Sequence, residues 1–285
     1  MIHTTLIDAQ SLAALAGRPD IAVIDCRFDL ASPAAGRAAY LEAHIPGAHY
    51  ADLNRDLSAP VTPRTGRHPL PDPQRLAARL QQFGIGDDTQ IVAYDAGNGA
   101  FAARLWWLAR WLGHDQVAVL DGGFAAWTAL GLATVGGDAP DAPTPAPRFT
   151  VRLAEGAWLT SDQVQGALRE RRRLIVDARA PERFAGTVEP LDAIAGHLPS
   201  AQNFPFTRNL RADGRFLAPD ELRSVWRKFL GDTEPSEVIA MCGSGVTACH
   251  NLLSLEAAGL PGAKLYAGSW SEWIRDPSHG VATGS

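Results

Sequence analysis

The sequence predicts an α/β protein built from two tandem domains, each with a mostly parallel sheet flanked by helices. Short runs rich in Ile and Val alternate with longer amphipathic segments, which is the pattern of such sheets. Several motifs occur twice, and a proline-rich segment separates the two copies. The 285 residues suffice for two domains of ordinary size.

The repeated motifs follow the same order in both halves, which indicates an internal duplication. The pairs are "VIDCR" (23–27) and "IVDAR" (175–179), "AHIPGA" (43–48) and "GHLPSA" (196–201), "IVAYDAGNGAFAA" (91–103) and "VIAMCGSGVTACH" (238–250), and "LDGGFAAW" (120–127) and "YAGSWSEW" (266–273). We therefore expect an N-terminal domain over 1–133, a linker over 134–150 that its prolines make stiff and extended, and a C-terminal domain over 151–285.

Individual elements follow from local patterns. Buried strands are predicted over Ala22–Cys26, Ile91–Tyr94 and Val117–Leu120. The segment "DPQRLAARLQQFG" has an Asp-Pro start, apolar residues at helical spacing and a Gly stop, and "FAARLWWLARWLG" is likewise predicted to be a helix. In the second copy, "APDELRSVWRKFLG" repeats the helical pattern.

The composition excludes some classes of function. A formal charge of −5 gives no sign of the excess positive charge that nucleic-acid-binding proteins carry. No apolar run approaches the roughly 20 residues that cross a bilayer, and the N-terminus lacks a signal-peptide pattern. Three cysteines are too few for a disulfide framework, so a reducing compartment, the cytoplasm, is expected. The His and Cys residues do not have metal-ligand spacing, and we expect neither a metal nor a cofactor.

The loop after the apolar run Val238–Met241 carries the clearest chemical signal. Cys242 lies where ligands bind in parallel sheets, beyond the carboxyl end of a strand. Glycines at 243 and 245 allow successive N–H groups to point inward, and the following helix adds free N–H donors. Both features stabilise an anion, so the cysteine is predicted to be a nucleophilic thiolate. The first half has Asp95 at this position, and a carboxylate cannot accept sulfur.

Two cysteine chemistries use a loop of this length. Phosphatases place an arginine six residues after the cysteine to clamp the phosphate, but Ala248 stands here. Phosphate hydrolysis is therefore disfavoured. In sulfur transfer, by contrast, the thiolate takes up a sulfur atom as a persulfide and passes it to an acceptor. The neutral loop favours this second chemistry.

The motifs "EAHIPGA", "HPLPDP", "YDAGNGAFAARLWW", "GHLPSAQNFPF", "CGSGVTACH" and "YAGSWSEW" together resemble the tandem-domain rhodanese (sulfurtransferase) family over almost the whole chain. Within that family, "CGSGVTA" is the loop type of the 3-mercaptopyruvate sulfurtransferases. The resemblance implies a small-molecule sulfur donor, a thiol acceptor such as a thioredoxin-like protein or cyanide, and a catalytically silent first domain. It implies no nucleic-acid or membrane partner.

The resemblance also assigns roles to particular residues. Cys242 and Ser244 are expected to be catalytic, with the serine relaying protons. The residues expected to bind the substrate are Gly243, Gly245, Val246 and Thr247 of the loop, Arg183 toward the donor's carboxylate, and His68 from the first half. The matched pairs Asp25–Arg27 and Asp177–Arg179 occur in both halves and are therefore interpreted as structural.

At two positions the chain departs from the family pattern. Where mercaptopyruvate enzymes carry a second arginine, this chain has Leu191, which cannot bind a carboxylate. Asn54 stands where the family has an acidic residue, although Asp52 or Asp56 could substitute. Thiosulfate therefore remains an alternative donor, and a persulfide carrier with little turnover on small donors is a further alternative.

Overall fold

The computed structural model describes residues 2–138, 146–170 and 173–284, so part of the predicted linker (139–145) lies outside the described residues. The chain divides into two compact units. Unit 1 comprises Met1–Ala59, Pro71–Ala154 and Ala212–Phe216, and unit 2 comprises Pro60–Leu70, Glu155–Arg211 and Leu217–Ser285. The segment Pro60–Leu70, which belongs to the first half of the sequence, thus packs within unit 2.

Unit 1 contains a five-stranded sheet in the order β1-β5-β4-β2-β3, and every neighbouring pair is parallel. Its strands are β1 (Leu6–Ile7), β2 (Ile21–Asp25), β3 (His49–Tyr50), β4 (Gln90–Tyr94) and β5 (Val117–Leu120). Strand β4 lies at the centre and is buried along its whole length, as expected for an apolar run covered on both faces.

Five helices accompany this sheet: α1 (Ala9–Leu15), α2 (Ala35–Glu42), α3 (Pro73–Gln82), α4 (Ala102–Trp111) and α5 (Gly123–Ala129). The Asp-Pro start of α3 acts as predicted, because the Asp72 side chain accepts hydrogen bonds from the N–H groups of Gln74 and Arg75. Side chains from β2, β4 and β5 pack with those of the helices into one apolar core, which includes Tyr40 and Trp127.

Unit 2 repeats the same sheet in the order β6-β10-β9-β7-β8, again with parallel pairs throughout. Its strands are β6 (Trp158–Leu159), β7 (Leu174–Asp177), β8 (Gln202–Asn203), β9 (Val238–Met241) and β10 (Lys264–Tyr266). The central strand β9 leads into the cysteine loop, as β4 leads into the loop at Asp95. The predicted fold class is confirmed: two parallel five-stranded sheets with one strand order.

The helices of unit 2 are α6 (Ser161–Glu170), α7 (Pro181–Ala185), α8 (Pro219–Leu230), α9 (Thr247–Ala257) and α10 (Ser269–Trp273), with short 3-10 turns at Phe206–Asn209 and Pro235–Glu237. Its core includes Phe184, Trp270 and Trp273. In the described parts of both units, no helix combines the length and the apolar character that a membrane span requires.

Candidate active site

The loop after β9 surrounds the thiol of Cys242 with main-chain groups. Cys242 is buried, with 2% of its surface exposed, and the N–H of Gly245 donates to its Sγ at 3.2 Å. Its own N–H donates to Ser269 Oγ at 3.1 Å, and its carbonyl accepts from the N–H of Trp270. The start of α10 therefore fixes the backbone at the cysteine, while the loop turns an N–H toward the sulfur.

Gly245 is the residue on which this turn depends. Its φ of +77° lies in the left-handed region, and a Cβ at this position would collide with the carbonyl of Ala267. The carbonyl of Gly245 accepts a hydrogen bond from the thiol of Cys249 at 3.2 Å. Cys249 is thus buried behind the loop and supports its backbone.

The other loop residues connect the cysteine to helices α10 and α9. The carbonyl of Gly243 accepts from the N–H of Ser271 at 2.9 Å, which ties a second loop residue to α10. Val246 is buried at the position preceding α9, and Thr247 is the first residue of that helix. Helix α9 therefore begins at the end of the cysteine loop, where the positive end of its dipole lies.

Ser244 and His68 lie together. His68 Nδ1 is 2.7 Å from Ser244 Oγ, and both residues are buried, with 4% and 5% of their surfaces exposed. His68 belongs to the segment Pro60–Leu70 of unit 2. The neighbouring Arg67 N–H donates to Ser271 Oγ at 3.0 Å and so anchors that segment to α10. A hydroxyl and an imidazole at this distance can exchange a proton.

Arg183 lies on the short helix α7 and is held by two carboxylates. Its Nη2 is 2.7 Å from Glu189 Oε1, its Nε is 3.2 Å from Glu189 Oε2, and its Nη2 is 3.2 Å from Asp192 Oδ2. The guanidinium also approaches the loop, since a Cβ built on Gly243 would lie 3.4 Å from Arg183 Nη1. The structure therefore places Arg183 beside the residue that follows the cysteine.

A second guanidinium, that of Arg67, reaches the same place. A Cβ on Gly243 would lie 2.8 Å from Arg67 Nη2, and Arg67 Nη1 is bonded to Asp192 Oδ1. The sequence motifs did not place Arg67 in the site. Its pairing with Asp192 was missed, because the two residues stand 125 positions apart and no motif links them.

The two carboxylates differ in their electrostatics. Burial raises the pKa of Asp192, with a further contribution from the charge of Glu189, and this outweighs the opposing effect of Arg67 and Arg183. Burial acts to raise the pKa of Glu189 as well, but hydrogen bonds from Arg183 and from the N–H groups of Leu191 and Asp192 bring it below its ordinary value. Glu189 is therefore the firmly ionised partner of Arg183.

The Asp-x-Arg pairs behave alike in the two units. Arg27 Nη2 contacts Asp25 Oδ2 at 2.6 Å and the carbonyl of Ala43, and Arg179 Nη2 contacts Asp177 Oδ2 at 2.8 Å and the carbonyl of Gly196. Both pairs are buried, and each ties the end of a strand to the segment that leads into the next strand along the chain. In unit 2 alone, the described contacts continue from Arg179 Nη1 to Glu189 Oε2 at 3.4 Å.

In unit 1, the loop that corresponds to the cysteine loop binds the carboxylate of its own residue Asp95. Asp95 accepts hydrogen bonds of 2.9–3.2 Å from the N–H groups of Gly97, Gly99, Phe101 and Ala102. Inward-pointing N–H groups of the kind predicted for the loop of Gly243 and Gly245 are therefore present in this loop, and the Asp95 carboxylate accepts hydrogen bonds from them.

The residues considered as an acidic substitute for Asn54 are held within unit 1. Asp52 Oδ1 accepts from the N–H groups of Asn54 and Arg55, and Asp56 pairs with Arg79 at 2.9 Å. These carboxylates stabilise the turn that contains them. Their predicted part in a proton relay stays a prediction.

The comparisons with known proteins decide the family. The rhodanese-like domain model matches residues 8–130 and 160–276. This chain belongs to the rhodanese-like family. The resemblance found in the motifs is therefore confirmed, including its tandem character.

Relatives of this rhodanese-like chain are sulfurtransferases. It is 51% identical to a "Probable 3-mercaptopyruvate sulfurtransferase" of Pseudomonas aeruginosa over all of both chains. It is 36% identical to the thiosulfate sulfurtransferase of Bos taurus, over 93% of this chain and 89% of the bovine one. The crystal structure of SseA from Escherichia coli, a 3-mercaptopyruvate sulfotransferase by its description, superposes with a TM-score of 0.79 at 34% identity and covers 95% of this chain and 100% of SseA. The expected enzyme class, sulfurtransferase, is confirmed.

Proposed function

We propose that this chain transfers sulfur from 3-mercaptopyruvate to a thiol or cyanide acceptor through a persulfide on Cys242. The observation that carries the proposal is the bond from the Gly245 N–H to Cys242 Sγ, in a loop without charged residues. A main-chain donor aimed at the sulfur stabilises the thiolate before the reaction and the persulfide after it. The 51% identity to a relative that is named a probable 3-mercaptopyruvate sulfurtransferase supports the choice of donor.

In the first half-reaction, the Cys242 thiolate attacks the sulfur of the donor. An S–S bond forms, the C–S bond breaks, and its electron pair passes to carbon as the enolate of pyruvate. The enolate carbon takes up one proton, and the donor's thiol releases one as it becomes the persulfide. Ser244, backed by His68 at 2.7 Å, is the group positioned to move this proton.

In the second half-reaction, an acceptor thiolate or cyanide attacks the outer sulfur of the persulfide. The S–S bond breaks and its electron pair returns to Cys242 as thiolate. A cycle of this kind needs a reduced thiol at Cys242, and none of the three cysteines forms a disulfide in the structure. A reducing compartment preserves such thiols, so we assign the enzyme to the cytoplasm.

The donor's carboxylate would bind between Arg183 and Arg67. Both guanidinium groups reach the position of a Cβ at Gly243, next to the nucleophile. Arg67 thus offers the second cation that Leu191 cannot provide, from a different segment of the chain. A planar guanidinium suits a carboxylate because it can donate two parallel hydrogen bonds.

The test is mass spectrometry of the protein after exposure to 3-mercaptopyruvate, together with release of pyruvate. The wild type should gain one sulfur atom and release pyruvate, whereas Cys242→Ser should do neither. The matched control is Cys26→Ser, a buried cysteine of unit 1 that should keep both properties. Sulfur uptake or pyruvate release by Cys242→Ser would refute the proposal.

Thiosulfate is the second candidate donor, favoured by the bovine relative and by the two guanidinium groups beside the loop. A comparison of kcat/KM for the two donors separates the candidates. A tenfold preference for thiosulfate, about 1.4 kcal/mol of transition-state stabilisation, would transfer the proposal to that donor. A stable persulfide without turnover of either donor would instead favour a sulfur carrier.

A further inference from the structure

We propose that Asp192 determines donor specificity: its negative charge between Arg67 and Arg183 favours a donor with one carboxylate over a doubly charged one. This inference rests on the proposed function and deepens it, because it concerns which anion the same site accepts. Asp192 itself would neither react nor contact the transferred sulfur.

Asp192 bridges the two guanidinium groups that face the loop. Its Oδ1 is bonded to Arg67 Nη1, and its Oδ2 lies 3.2 Å from Arg183 Nη2. The carboxylate is nearly inaccessible, with 5% of its side chain exposed, whereas Arg67 and Arg183 keep 25% and 17%. The arginines thus remain open to an incoming anion while the aspartate lies behind them.

The backbone holds this aspartate firmly. Glu189 Oε1 accepts from the N–H of Leu191 at 3.0 Å and from the N–H of Asp192 at 3.1 Å. The turn that contains Leu191 and Asp192 therefore wraps around the Glu189 carboxylate. Because this carboxylate also binds Arg183, the turn and the arginine are fixed to one another.

The charges around the site balance when Asp192 is ionised. Three arginines and three carboxylates form one connected set of ion pairs: Asp177, Arg179, Glu189, Arg183, Asp192 and Arg67. Removal of the Asp192 charge would leave this set with one net positive charge beside Gly243. The Coulomb energy of a ligand scales with its charge, so thiosulfate would gain about twice as much as a monocarboxylate. Asp192 therefore weakens the binding of dianions more than the binding of monoanions.

The experiment measures kcat/KM for thiosulfate and for 3-mercaptopyruvate with the wild type, Asp192→Asn and Glu182→Gln. Glu182 is exposed on α7 and is not a member of the connected set of ion pairs described above, so its replacement provides the same loss of charge without breaking that set. We expect the ratio of thiosulfate to 3-mercaptopyruvate to rise about tenfold in Asp192→Asn. That rise should shrink as salt is added, because charge interactions at a partly exposed site are screened. Glu182→Gln should leave the ratio unchanged.

The proposal would be overturned if the ratio of kcat/KM for thiosulfate to that for 3-mercaptopyruvate were the same in Asp192→Asn as in the wild type. It would also be overturned if Glu182→Gln raised this ratio as much as Asp192→Asn does. Thermal unfolding checks that the variant is folded, and Asp192→Ser serves if the asparagine variant is not. Binding of sulfate and of pyruvate to these proteins, measured by calorimetry, gives the same ratio without turnover. The role of Asp192 can therefore be disproved while the proposed reaction still stands. Equally, the proposed reaction can be disproved while the binding ratio still supports the role of Asp192.

Discussion

His68 Nδ1 lies 2.7 Å from Ser244 Oγ, although 176 positions separate the two residues in the chain. The contact joins a segment from the first half of the sequence to the cysteine loop, within one compact unit. Both side chains are shielded from water, so the hydrogen bond between them does not compete with solvent. The serine hydroxyl is thereby held in one orientation beside the nucleophile.

If this pair moves the proton to the enolate, removal of either member should slow the same step. We expect Ser244→Ala and His68→Asn each to lower kcat by about a hundredfold, the usual scale of general acid–base catalysis. The double variant should be hardly slower than either single one, because the two residues act as a unit. Steady-state kinetics of pyruvate release provides the measurement.

Ser236→Ala, at an exposed serine of the same unit, is the control and should retain wild-type kcat. Losses that multiply in the double variant would mean that His68 and Ser244 act independently.

The left-handed turn at Gly245 should not tolerate a side chain. Gly245→Ala introduces a methyl group against the Ala267 carbonyl at a φ of +77°, and we expect it to lower the free energy of unfolding by about 1–3 kcal/mol. Sulfur transfer should fall as well, since the N–H that faces Cys242 Sγ is displaced. Urea unfolding and pyruvate release measure the two effects.

Gly166→Ala is the matched control, because this glycine lies inside α6 with open space around its Cα. Alanine is the better helix former, so this change should raise the free energy of unfolding by about 0.5–1 kcal/mol. If both variants behaved alike, the argument from the Gly245 backbone would be wrong.

The arginine pair should govern donor affinity. Replacement of Arg183 or Arg67 by Gln should raise KM for 3-mercaptopyruvate by about tenfold, since one charged hydrogen-bond donor to the carboxylate is lost. The KM for cyanide, which has no carboxylate, should change little and serves as an internal control. Arg64→Gln, at an exposed arginine of the same segment, should leave both constants unchanged. An unaltered KM for the donor in the Arg183 and Arg67 variants would place the carboxylate elsewhere.

Glu189 should make stability depend on pH in a defined direction. Its pKa is lower in the folded protein than its ordinary value, so the ionised form stabilises the fold above the ordinary glutamate range. This contribution is lost as the pH falls through the lowered pKa. Glu189→Gln should therefore be less stable than the wild type at pH 7 by about 1–3 kcal/mol, the usual value of hydrogen bonds to a charged group.

The difference in the free energy of unfolding between the wild type and Glu189→Gln should become smaller at acidic pH. Urea unfolding at neutral and acidic pH measures this difference. Glu182→Gln, on the exposed side of α7, controls for the loss of one charge. A stability difference that stays constant with pH would contradict the assignment.

Much of the fold could be predicted because its signals are local. The predicted strand Val117–Leu120 agrees with the structure, and the predicted Ile91–Tyr94 falls one residue short of the observed Gln90–Tyr94. Edge strands such as Leu6–Ile7 were not predicted, since two residues carry too little periodicity. The duplicated motifs predicted that both halves share one fold, and the two sheets do have the same strand order.

In the candidate site as well, local sequence signals predicted some features and left others unpredicted. The loop from Cys242 to Thr247 is contiguous, so its glycines and the helix behind it could be read directly from the sequence. The partnership of Arg67 with Asp192 could not be predicted, because it depends on how a segment 125 positions away packs against the turn that contains Asp192. Spacing predicts neighbours along one element, whereas this pair arises from tertiary packing.

The carboxylate of Asp95, bound by four main-chain N–H groups, has a consequence for the stability of unit 1. A loop of this shape presents inward-facing donors whether or not it carries a cysteine, and buried donors without an acceptor are costly. The Asp95 carboxylate satisfies these donors as part of the chain itself. The loop of unit 1 therefore keeps its backbone arrangement without any bound anion.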